Sequence, residues 1–239
     1  MADLAAKNNG GKMGMTAKHR VLSVISTVFF ALLSALIIFP VLAGFLASFR
    51  PGKELIRKGL SIHLDFSEMS LANYKYLFAG NADSVKYFTW FKNSLVLTFV
   101  TVVLTLIICY FIAYGFSMYE FKGKNFLFFL VIATMMVPFE ILMLPLYKEI
   151  ISLKLILPGL CGASTIFFFR QYMRGLPKEL LDAGRIDGAT EFGICIKIML
   201  PITKPAFASM AILSAMGSWN NLLWPMLVYR SADKFTLPI

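Results

Sequence analysis

The side chains able to do chemistry fall into three groups. The first lies in residues 170–204, which carry Glu179, Asp182, Ala183, Gly184, Asp187 and Gly188. This stretch is too charged to cross a membrane, and its acids suit contact with basic or hydrogen-bonding groups of another protein. The second is Glu140, a single acid inside an apolar run. A carboxylate so placed usually faces the interior of a helix bundle. There it would touch a passing solute or a gate, or pair with a polar group of a neighbouring helix. The third is Asn220, Asn221 and Trp224. On one continuous helix Asn220 and Trp224, four apart, would share a face. An amide that meets hydroxyls, one turn from a ring that stacks on a pyranose, suits a sugar. The alternative is that both asparagines simply bond neighbouring helices.

None of these groups is an arrangement for bond-making. His19 and His63 stand apart from any candidate ligand, and Cys109, Cys161 and Cys195 are odd in number and widely spaced. Neither a disulfide framework nor a metal spacing follows. Gly162-Ala163-Ser164 has no histidine in any apolar run to act as base, so Ser164 reads as a small residue packed between helices. Gly10-Gly11-Lys12 lacks the spacing and the hydroxyl of a phosphate-binding loop. No cofactor is therefore expected in this chain.

The elements that must position these residues are set by composition. Of 239 residues 58% are hydrophobic and only 15% are charged, against about 45–50% and 25% in soluble domains. So much apolar surface must face lipid, which excludes a soluble enzyme, a disordered chain, a collagen-like fibre and a coiled coil. The net charge of +10 fits basic residues flanking spans and meeting anionic headgroups better than nucleic-acid binding.

Five apolar runs are each read as a membrane span. Val21–Ser48 and Ser94–Ser117 are uncharged and long enough for the roughly 20 residues a bilayer requires. Phe126–Leu146 is interrupted by Pro138 and Pro145, and Leu155–Phe169 spans only if Lys154 and Arg170 snorkel or the bilayer thins. Pro205–Tyr229 is the fifth. The strand alternation of an outer-membrane barrel is absent, so the expected fold is all-α, a polytopic transmembrane helical bundle. A polar tail over 1–20, a first span over 21–48, a solvent loop over 49–90 and a membrane core over 91–239 complete the expected organisation. The Lys and Arg residues divide nearly evenly between the two sides, so charge bias leaves the orientation open.

Within 170–204, Pro177 suits the first position of a helix with Leu176, Leu180, Leu181 and Ala183 on its apolar face. Asp187-Gly188 is a break, because glycine takes left-handed backbone angles at little cost. A second helix is expected from about Ala189 to Pro201. The result is a helix–turn–helix at the membrane surface with one side free for a partner.

These residues resemble a family. Asp182-Ala183-Gly184, then Gly188, then Ile198-Met199-Leu200-Pro201 is similar to the Glu-Ala-Ala, Gly and Ile-x-Leu-Pro pattern of permease subunits of binding-protein-dependent ABC importers. Asp stands for Glu at 182 and Gly for the second Ala at 184. Asn73-Tyr74-Lys75, Trp90-Phe91-Lys92-Asn93-Ser94, Met136-Val137-Pro138 and Trp219 to Pro225 look like the carbohydrate branch, the maltose-transporter type. The resemblance implies a bacterial inner-membrane protein with coupling helices at about 177–200 and its N-terminus in the cytoplasm, and places 49–90 outside. It further implies a homologous second permease subunit, an ATPase subunit dimer that carries ATP and Mg, an extracytoplasmic substrate-binding protein and a carbohydrate substrate. Such permeases have six spans here, so a sixth is expected beyond the five visible ones. A secondary transporter is the alternative. Ion coupling usually uses several intramembrane carboxylates, and only Glu140 qualifies.

Overall fold

The computed structural model describes residues 17–52, 69–149, 156, 159–229 and 231–239. The N-terminal tail up to Thr16, residues 53–68 of the expected loop, the turn containing Lys154, the first residues of the fourth apolar run and Arg230 lie outside the described residues. Every regular element among the described residues is helical, as the composition requires. The chain divides into two units, Met1–Asn81 and Ala82–Ile239.

In the first unit, α1 (Ala17–Ala47) covers the uncharged run and exposes most of its apolar side chains. That is how a helix in lipid should look, since nothing polar competes for its surface. The short α2 (Ala72–Phe78) is tied to the end of α1 by the Asn73-Tyr74 pair. Asn73 Nδ2 donates to the carbonyls of Ser48 and Arg50, both at 2.8 Å. The Tyr74 hydroxyl lies 2.7 Å from Ser48 Oγ, and its ring lies 5.4 Å from that of Phe49.

The second unit is organised around α3 (Ala82–Met118). Residues 82–90 of the expected loop are the first turns of this helix. Its backbone bonds do not stop where the side chains turn polar, and Asp83 and Lys86 sit one turn apart on its exposed surface. The third apolar run is two helices, α4 (Lys124–Thr134) and α5 (Phe139–Glu149), bent by 95°. The bend falls at Pro138, whose ring lacks a donor and restricts the residue before it. The fourth run is represented by α6 (Ala163–Arg174), which starts later than expected and runs on into the charged segment.

The helix–turn–helix follows as α7 (Glu179–Ile186) and α8 (Glu191–Ile202), the latter containing a π-helical stretch at Ile194–Met199. The helix continues through Pro201 instead of ending there. The π stretch has already left the α register that the missing N–H of proline would interrupt. A bend of 74° leads into α9 (Lys204–Trp219). The fifth run then breaks at 220–222 before α10 (Leu223–Val228). Among the described residues, α1 and α3 are the unbroken helices long and apolar enough to cross a bilayer, and the two bent pairs raise the number to at most four. Broken helices are tolerated at membrane depth where neighbouring protein satisfies the freed backbone groups.

Helices α6 and α9 pack along α3. The core is densest where they meet α7 and α8: Cys109, Tyr110, Phe169, Met173, Ile194 and Met199 are all buried there. Arg170 is part of this packing and does not snorkel. It is 6% exposed. Its Nε donates to the Phe116 carbonyl at 3.3 Å, and its guanidinium carbon lies 3.7 Å from the Phe128 ring centroid. A ring face and a carbonyl let the charge stay inside without reaching water.

Candidate functional site

Two places in the second unit gather the residues singled out above. The first is the turn between α7 and α8. Gly188 has φ +74°. Gly188 N donates to Arg185 O and Ala189 N to Gly184 O, the paired bonds that close a helix around a left-handed residue. Thr190 then caps α8, its Oγ1 accepting from Gly193 N at 3.1 Å. Gly184 is buried against α8, and a Cβ there would stand 2.8 Å from Ile198 Cδ1 and 3.0 Å from Ile194 Cγ1. The departure from alanine at 184 is therefore what lets the two helices approach.

The charges around this turn form a chain. Arg185 NH1 donates to Asp182 Oδ1 at 3.1 Å, while its Nε and NH2 hold the two Glu191 oxygens at 2.7 and 3.2 Å. The Tyr119 hydroxyl, just past the end of α3, donates to Glu191 Oε2 at 2.8 Å. Arg185, and after it Tyr119, hold the Glu191 carboxyl below the usual carboxylate range. Burial, and then the Glu191 contact, push the Tyr119 phenol above its ordinary value. Deeper in, the Tyr110 hydroxyl of α3 donates to Cys195 O at 2.9 Å, a carbonyl that also takes the Leu200 N–H across the π turn. The helix pair is thus fixed to α3 at two levels. Its outer side is free: Glu179, Asp182, Ala183 and Asp187 are exposed, with Ile186 at 86% and Phe192 at 67%.

The second place is a cavity of about 300 Å³ beside the middle of α3. Thr101, Thr105, Ser214 and Ser218 line it with hydroxyls, Asn221 with an amide, and Phe139 and Trp224 with rings. The Trp224 ring meets Phe139 edge-on at 5.8 Å, and Trp224 N donates to Asn221 Oδ1 at 3.3 Å.

A family model for the inner membrane component of binding-protein-dependent transport systems matches residues 110–238. The chain belongs to this family. The match covers the α7–α8 turn and the part of the cavity wall that follows α3, and makes the chain a membrane transport component. The arabinooligosaccharides transport system permease protein AraQ of Halalkalibacterium halodurans is 49% identical over 226 residues, covering 92% of this chain and 80% of AraQ. AraQ of Bacillus subtilis strain 168 is also 49% identical over 226 residues, covering 92% and 79%. A crystallised bacterial ABC transporter that imports the acidic polysaccharide alginate contains a chain of the same fold. Its TM-score is 0.78 at 23% identity, over 93% of this chain and 79% of that one.

The structure sorts the remaining sequence candidates of this inner-membrane component. Asn220 and Trp224 do not share a helix face, because the helix ends between them. Asn220 is the exposed C-cap of α9, its Nδ2 on Met216 O at 3.0 Å, and only Asn221 and Trp224 reach the cavity. Trp219 stacks edge-on against Phe91. Phe91 lies ten residues, roughly 15 Å, from Thr101, near the midpoint of the apolar stretch Val85–Met118. Trp219, just before the break, is level with the Phe91 part of α3, while Asn221 within the break reaches the cavity beside Thr101 and Thr105. Glu140 is exposed in the first turn of α5. The motif around Trp90 is structural. Trp90 Nε1 donates to Ala232 O at 2.6 Å, Asn93 Nδ2 to the carbonyls of Asp233 and Phe235, and Leu237 N to Ser94 Oγ at 2.8 Å. Tyr110 and Tyr119, which fasten the helix pair, had no signal in the sequence beyond being tyrosines at the end of an apolar run.

Proposed function

We propose that this inner-membrane component is the pathway-forming permease subunit of an ABC importer for an oligosaccharide of the pentose class named in its AraQ relatives. The observation that carries the reading is the cavity beside α3. Hydroxyls, one amide and two rings at mid-helix are the groups that replace water around a sugar, whose faces are part polar and part apolar. A homologous second permease subunit would close the open side of the cavity. An extracytoplasmic binding protein would deliver the sugar.

The exposed side of α7 and α8 is read as the contact with an ATPase subunit dimer, which would hold ATP and Mg. Ile186 and Phe192 are large apolar side chains left in water among Asp182, Asp187 and Arg185, the mixture of an apolar centre and polar rim typical of a protein interface. Asp182 is already paired with Arg185, so it would act through that pair when it meets the ATPase. The N-terminus and the α7–α8 turn would then lie in the cytoplasm.

The deciding experiment is uptake of labelled arabinooligosaccharide by the reconstituted importer. Asn221→Ala should lower uptake while assembly and basal ATPase activity persist, and unchanged uptake would remove the cavity from the pathway. Cysteine labelling in intact cells tests the orientation: a cysteine at 185 modified from outside sinks it.

A further inference from the structure

A second cavity, of about 380 Å³, lies at the coupling end of the second unit and has no part in the reading above. Ser117, Glu120, Lys124, Arg170, Arg174 and Lys178 line it. They come from the end of α3 and the turn after it, the start of α4, the end of α6 and the residue that precedes α7. Four are cations and one is an acid. Glu120 is satisfied by Lys124, whose Nζ stands 2.9 Å from Glu120 Oε1 and 2.7 Å from Tyr119 O. Among the described residues no carboxylate pairs with Arg170, Arg174 or Lys178. Arg170 is nearly buried, and its carbonyl and ring contacts carry no negative charge. Buried charge is costly until something of opposite sign meets it. Four cations around one cavity that holds a single carboxylate, itself bonded to Lys124, leave an excess of positive charge that fits a bound anion.

The surroundings say which anion. The cavity opens beside the first turn of α4, and immediately beyond it Phe126 and Phe129 are 64% and 62% exposed. Charged walls that give way within one turn to exposed apolar rings match a molecule with a phosphate at one end and hydrocarbon at the other. We infer that this cavity holds the phosphate headgroup of an anionic phospholipid, with its acyl chains along α4. That the leaflet at this end is the anionic cytoplasmic one rests on the orientation proposed above. Headgroup binding itself can be measured without it.

The test uses the assembled importer, stripped of lipid in detergent and titrated with phosphatidylglycerol, phosphatidylcholine or inorganic phosphate. Retained lipid is counted by native mass spectrometry. Phosphatidylglycerol should be retained in preference to phosphatidylcholine. Arg174→Gln should weaken that retention about five-fold, the effect of one cation at an anionic surface, and Arg174→Lys should restore most of it. Lys92→Gln, which removes a cation near the other end of α3, should leave retention as it was. Equal retention by wild type and Arg174→Gln overturns the inference. Displacement of the lipid by inorganic phosphate also overturns it, assigning the cavity to a free anion. Loss of the ATPase subunit from the Arg174→Gln complex, with lipid retention unchanged, assigns Arg174 to a protein contact and overturns it as well. If cysteine labelling puts residue 185 outside while the lipid result holds, the orientation fails and the cavity stands.

Discussion

The two ends of α3 are held in different ways, and the stretch between them packs on one side against an open cavity. At the coupling end, long side chains reach across large sequence separations: Tyr110 to Cys195, Tyr119 to Glu191 and Arg170 to Phe116. Rings fill the space behind them, with Phe169 and Phe207 at 4.8 Å and Tyr110 and Phe207 at 5.1 Å. At the far end the chain after α10 is clamped back onto α3 through Trp90, Asn93 and Ser94. Beside the middle of α3 the walls are instead small: Gly159, Gly162, Ser214, Gly217 and Ser218 around an open cavity. In the function proposed above, the end bearing α7 and α8 would move as one piece, and the cavity wall would change its lining without disturbing that piece.

The largest expected effect tests this contrast directly. Phe169→Ala removes a fully buried ring and should cost about 3–5 kcal/mol, seen as loss of the assembled complex or a large fall in its thermal midpoint. Ser214→Ala in the cavity wall should leave the midpoint nearly unchanged and act only on uptake. Comparable losses from both would mean that the cavity wall is core as well.

Gly184 is next. A valine there must displace Ile194 and Ile198, an overpacking worth about 1–3 kcal/mol. Gly184→Ala should be milder, since the nearest atom is the mobile end of Ile198. In the assembled importer Gly184→Val should insert normally and lose substrate-stimulated ATPase activity. Retained stimulation would show that α7 does not need to seat on α8. Gly188→Val forces a branched side chain into a left-handed turn at about 1–2 kcal/mol. It should also uncouple, with cross-links between α7 and α8 weakened.

What the sequence disclosed follows the range of the forces involved. The helix–turn–helix over 177–202 was legible because its signals are local: Pro177, the glycine at 188 and the apolar spacing. The bend at Pro138 was legible for the same reason. The break at 220–222 was not, because Asn220-Asn221 brings no glycine or proline and apolar residues continue on both sides of it. The sequence leaves open whether the amides of Asn220 and Asn221 meet a solute or bond within the protein, and one of them caps a helix. In the sequence Gly184 is only a departure from the alanine of the family pattern, and the position of Ile194 and Ile198 shows why a side chain does not fit. The burial of Arg170 depends on Phe116 and Phe128, more than forty residues away, and no local pattern announces such a partner.

The smallest effect concerns the charged chain at the turn, whose members are exposed and contribute little to stability one by one. Its pH dependence has a definite sign. The Glu191 carboxyl is held below its ordinary value, so its contribution is present above about pH 4.3 and fades as pH falls through the lowered value. The Tyr119 phenol is raised, so its contribution is present below about pH 10 and fades as pH rises through the raised value. Between those limits the link from α3 to α8 should be constant. Substrate-stimulated ATPase activity, divided by basal activity to remove the titration of the ATPase itself, should therefore show no step from this link between about pH 5 and pH 9. Glu191→Ala should lower that ratio slightly at every pH in the window, because it removes both the acceptor for Tyr119 and the charge that balances Arg185. Tyr119→Phe should lower it too, and the double variant should fall by less than the sum, since both changes remove one bond. A full additive loss would mean that Tyr119 and Glu191 act separately, and the coupling end would then be joined to α3 by Tyr110 and the aromatic core alone.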